Sequence, residues 1–114
     1  MSNFQGTWRY GKNMAMGKEV VPAMGAIIVK DDENGAPATI EFPGLALGVS
    51  GKGDYDISFK KDQEHRGRLV ILSPSANSPA ILIGSIARGN YTDEDPHGPI
   101  GDADIDVFIA VKVG

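Results

Sequence analysis

Apolar and polar residues alternate with a period of two through most of this chain, in short runs separated by glycine, proline or asparagine. That period sends successive side chains to opposite faces of an extended strand, whereas a helix needs its apolar residues three and four apart. Phe4-Gln5-Gly6-Thr7-Trp8-Arg9-Tyr10 and Ala38-Thr39-Ile40-Glu41-Phe42 both follow it, and Leu45, Leu47 and Val49 continue on one face beyond Pro43-Gly44. Asp54-Tyr55-Asp56-Ile57-Ser58-Phe59-Lys60 places Tyr55, Ile57 and Phe59 inward. Ala26-Ile27-Ile28-Val29 and Leu69-Val70-Ile71-Leu72 are unbroken apolar runs, as expected of strands buried on both faces. In the last strand Ile105, Val107, Ile109, Val111 and Val113 share one face, and Asp104, Asp106, Phe108, Ala110 and Lys112 share the other.

Turn residues fall where these strands need them. Asp31-Asp32-Glu33-Asn34-Gly35 contains Asn-Gly, the pair that suits a type I′ hairpin because both of its central residues take positive φ. With 15 glycines in 114 residues, about twice the ordinary share of roughly 7%, the chain turns too often for long helices. The reading is an all-β single domain over residues 1–114, a β-sandwich or small barrel of about seven strands. One short flanking helix is expected over about residues 79–88, with Ser78 as N-cap, Pro79 at the first helical position and Gly89 after the last turn. Ile81-Leu82-Ile83 fits a strand as well.

The absence of cysteine removes disulfides, thiolate metal sites and cysteine nucleophiles. No signal peptide and no membrane-spanning helix are expected, since the longest apolar stretch, Ala80–Ala87, is far short of about 18 residues. The net charge of −4 argues against a protein that coats nucleic acid. Its order along the chain is uneven: +3 over residues 1–30, −4 over 31–66, +2 over 67–92 and −5 over 93–114. Alternating blocks suit contacts between identical copies. They also suit a surface on which folding mixes the signs.

Catalytic templates fail on particular residues, and the chain is expected to be neither an enzyme nor a cofactor or metal carrier. Gly48-Val49-Ser50-Gly51-Lys52-Gly53 lacks the first glycine and the hydroxyl residue of a phosphate loop. His65 and His97 have no metal-ligand spacing, and no Gly-x-Ser-x-Gly elbow occurs. Asp102, Asp104 and Asp106 alternate, but a calcium loop starting at Asp102 would need glycine where Val107 stands, so they read as an acidic, solvated strand face.

Gly51-Lys52-Gly53-Asp54 through Asp62, followed by His65-Arg66-Gly67-Arg68-Leu69-Val70-Ile71-Leu72 and the Ser/Asn-rich turn to Pro79, resembles the middle of small tail-tube proteins of contractile-tailed bacteriophages. The resemblance covers about residues 48–90. It implies a structural virion subunit that partners itself and other virion proteins, stacking in hexameric rings around a channel through which DNA passes without specific binding. In that setting Asp54, Asp56, Asp104 and Asp106 would form an acidic channel face that repels phosphate. Arg9, Lys12 and Lys18 would meet Asp93, Glu94 and Asp95 of the next ring. A capsid-decorating protein has the same composition. Phe4-Gln5-Gly6-Thr7-Trp8 resembles instead the first-strand Gly-x-Trp of lipocalins and fatty-acid-binding proteins, which implies a calycin barrel taking a small apolar ligand. The arginine that stacks on that tryptophan in the family is missing, and Lys112 is the only base near the end of the chain.

Overall fold

The computed structural model describes residues 3–72, 80–89 and 104–114. Its strands are β1 (Gly6–Met16), β2 (Met24–Asp31), β3 (Pro37–Phe42), β4 (Leu45–Lys52), β5 (Asp56–Lys60), β6 (His65–Ile71), β7 (Ile81–Arg88) and β8 (Asp104–Lys112). Each pairs antiparallel with the next, and β8 returns to β1, so the sheet closes on itself as an up-and-down barrel with no sandwich. Closure leaves no strand edge to pair with another chain.

An eight-stranded barrel is just wide enough for side chains to fill it. Here the filling is aromatic: Tyr10, Phe42 and Phe108 meet edge to face, with ring centroids 5.4–5.7 Å apart, and Phe59 lies 6.0 Å from Phe42. Ile27, Ile40, Ile57, Leu69, Leu82 and Ile86 complete the interior. One end is plugged by Phe4 and Trp8, whose indole Nε1 donates to the Phe4 carbonyl at 2.9 Å. At the other end Val20 and Val21, in the loop between β1 and β2, lie over the core.

The segment expected to be a helix is β7, which bridges β6 to β8 and raises the strand count from seven to eight. Ser78 and Pro79, which suggested the cap, lie outside the described residues. What decides the segment is tertiary: Leu69 pairs with Gly84 on one side and Phe108 pairs with it on the other. A Cβ at Gly84 would come within 2.6 Å of Leu69 Cδ2 and 2.7 Å of Phe108 Cζ, and one at Gly67 would strike the Phe59 ring. These glycines make room for the two rings, a requirement that helix propensity does not register.

Other expectations change in detail. The β2–β3 connection is longer than a two-residue turn: Asp32 Oδ1 accepts from the Asn34 and Ala36 N–H groups, and only Gly35 takes positive φ. Pro43-Gly44, with φ +78 at Gly44, joins β3 to β4 in two residues, as in a type II turn. Tyr55 stands in the turn before β5, 53% exposed rather than inward. The two apolar runs are buried on one face only, since Ile27, Val29, Leu69 and Ile71 point in while Ala26, Ile28 and Leu72 are exposed.

Candidate interaction surface

The largest departure from expectation is on β8. Phe108 and Ala110 face the core and Asp106 is wholly buried, whereas Ile109 and Val111 on the opposite face are 42% and 40% exposed. The strand has turned its charges inward and its branched aliphatic residues outward.

The inward charges are neutralised at the mouth that Val20 and Val21 cover. Asp106 Oδ2 accepts from the N–H groups of Val20 and Val21, each at 3.0 Å, and Lys12 Nζ lies 3.0 Å from the same oxygen. Lys12 also reaches Glu19 at 3.4 Å. Asp104 accepts from the Lys18 N–H at 2.8 Å and pairs with Arg88 at 2.9 Å. Two strand carboxylates therefore hold the β1–β2 loop down by its backbone. Tyr10, which donates to the Pro22 carbonyl at 2.9 Å, has its hydroxyl pKa raised by burial first and by the nearby Asp106 and Glu19 carboxylates.

The Lys18 N–H, and after it the Arg88 guanidinium, hold the Asp104 carboxyl below its ordinary pKa. A depressed folded-state value stabilises the fold above the unfolded value of about 3.9, and that contribution is lost as pH falls through the folded value. Asp104→Asn is thus expected to lower the melting temperature near neutrality and to converge on the parent protein below about pH 4. Thermal denaturation of both proteins across that range checks it.

On the outside, cross-strand registers assemble four rows across β6, β7, β8 and β1. Val70, Ile83, Ile109 and Gly11 form one, and Arg68, Ser85, Val107 and Met14 the next. Leu72, Ile81, Val111 and Arg9 flank the first, and Arg66, Ala87, Ile105 and Met16 flank the second. Met14 and Met16 are 57% and 52% exposed. Strands about 4.8 Å apart with side chains every two residues make the four rows roughly 400 Å² in projection, with Arg9, Arg66, Arg68 and Ser85 as their polar members. The largest apolar patch of an ordinary monomer is about 300–600 Å² and often functional.

The residues singled out from the sequence do not form one site. Asp54 and Asp56 lie at the opposite end of the barrel from Asp104 and Asp106, and Asp56 pairs with Arg68. Asp106 is buried, so an acidic channel face built on all four carboxylates, or a solvated acidic strand face, does not exist in this fold. Lys12 is committed to Asp106 and Glu19 inside the mouth, while Arg9 is exposed at the edge of the wall. Asp93, Glu94, Asp95, His97 and Asp102 lie outside the described residues. Among the described residues, no three His, Asp or Glu side chains gather as a metal ion would require. Gly48–Lys52, the phosphate-loop lookalike, is the end of β4.

Comparison of the chain with protein-family models, with curated proteins and with solved structures finds no match.

Proposed function

We propose that this protein is a structural subunit that associates with copies of itself through the outer wall of β6, β7, β8 and β1. The observation that carries the proposal is the inversion of β8: Val107, Ile109 and Val111 face outward on a strand whose inner face spends two carboxylates. Burying apolar side chains yields about 25 cal/mol per Å², and a second copy laid on this face would gain it. The wall is confined to part of the circumference. Lys30, Glu41, Ser58 and Lys60 point outward from β2, β3 and β5, whereas a membrane-spanning barrel carries its apolar band all the way round. In the tube implied by the tail-tube resemblance, rings would need a second, heterologous contact, for which the charge blocks are the proposed source. Light scattering and negative-stain microscopy of the purified protein test the reading: it predicts discrete oligomers or filaments, and a strict monomer at every salt concentration contradicts it.

One observation supports the calycin alternative. Lys112 Nζ lies over the Trp8 ring, 5.9 Å from its centroid, which is where the family resemblance would put an arginine. The aromatic filling of the barrel makes self-association the better supported reading. Quenching of Trp8 fluorescence by a lipophile at stoichiometric concentration would reverse that preference.

A further inference from the structure

The wall carries both a projection and a hollow. Arg68, Val70, Ile83, Gly84, Ser85 and Val107 line an open depression of about 230 Å³, almost wholly apolar, with the small residues Gly84 and Ser85 in β7 at its floor. Met14 projects from β1. Ser85 and Met14 are the two cross-strand partners of the same residue, Val107, so they lie in one row on either side of β8.

Met14 owes its position to a bulge. Trp8, Tyr10 and Lys12 point inward, and strict alternation would send residue 14 inward too. The register shift between Lys12 and Met14 turns it out. Bulges commonly re-aim a side chain in this way, and methionine adapts readily to an irregular hollow.

A rotation of 180° about an axis parallel to β8, lying just above the wall, exchanges the β7 and β1 positions within a row. We infer that a second copy of this chain docks wall to wall about such an axis, each copy seating its Met14 in the Ser85 depression of the other. This rests on the self-association proposed above and specifies its geometry. Aligned packing of two sheets about 10 Å apart accommodates it. The contact is isologous, so it closes at two copies. Met24 and Ile28 on the neighbouring β2, 75% and 37% exposed, extend the apolar face beyond the four rows.

Opposite charges placed at the two positions provide the test. Within one chain Met14 and Ser85 are separated by β8, about 10 Å, so a new ion pair between them forms across copies. Met14→Lys and Ser85→Glu, each alone, are expected to weaken self-association at least tenfold in sedimentation equilibrium. Mixing the two proteins is expected to yield a heterodimer at least tenfold tighter than either homodimer, weakened by salt. The reversed pair, Met14→Glu with Ser85→Lys, should favour the heterodimer more strongly, because Arg68, the cross-strand partner of Ser85, adds its charge to the lysine; it also guards against one variant folding poorly. If the unaltered protein associates but neither mixture favours the heterodimer, the two-fold geometry is wrong, and the wall stands as an interface only if the single substitutions weaken association. If the unaltered protein does not associate at all, the wall reading itself has failed.

Discussion

Asp106→Ala is expected to destabilise the barrel more than Asp104→Asn does. The carboxylate is wholly buried and one oxygen serves the Val20 and Val21 N–H groups and Lys12 together. Removing it leaves a largely buried ammonium without its nearest counter-charge and two backbone donors without an acceptor. Breaking a buried ion pair from one side costs about 3–5 kcal/mol, and for a domain of this size each kcal/mol lowers the melting temperature by roughly 4 °C. A fall of about 12–20 °C is therefore expected. Asp106→Asn keeps an oxygen for the two N–H groups and should cost less. If Asp106→Ala melts within about 2 °C of the parent, the carboxylate does not hold the loop.

Much of the barrel was legible in the sequence because alternation is a local signal. β1, β3, β5 and β8 each show it in their own residues. What alternation does not reveal is which face is inside when both faces are partly apolar. On β8 the aliphatic face has five branched residues and the other has Phe108 and Ala110 beside two aspartates, so hydrophobicity alone chooses the wrong side. The choice belongs to partners distant in sequence: Lys12, Val20, Val21 and Arg88 satisfy the aspartates, and Gly84 admits the Phe108 ring. β7 was missed for a related reason, since its glycine answers to Leu69 and Phe108 rather than to its neighbours in sequence.

The outer apolar wall has a trace in the sequence. Ala26–Val29 and Leu69–Leu72, together with Ile81–Ile83, are apolar at consecutive positions, which signals a strand needing cover on both faces. A parallel sheet supplies that cover with helices. A closed barrel supplies it on one face only, and the proposed self-association would supply it on the other. Met14 was invisible because its direction depends on a one-residue bulge.

Ile109→Glu addresses that demand at its centre. Ile109 lies between Ile83 and Gly11 in the middle of the wall and is 42% exposed, so a glutamate there meets solvent in the isolated barrel. Stability of the single chain should change by no more than about 0.5 kcal/mol. In a two-fold complex the substitution brings two carboxylates against apolar walls, each costing at least the roughly 1–3 kcal/mol of an unpaired polar group, so association should weaken by about 30-fold or more. Sedimentation equilibrium of the parent and Ile109→Glu over a concentration series is the most direct test of the central claim. Reversible association of the parent and a monomeric, fully folded variant are the expected results. A parent that stays monomeric throughout, or a variant that associates as tightly as the parent, would contradict it.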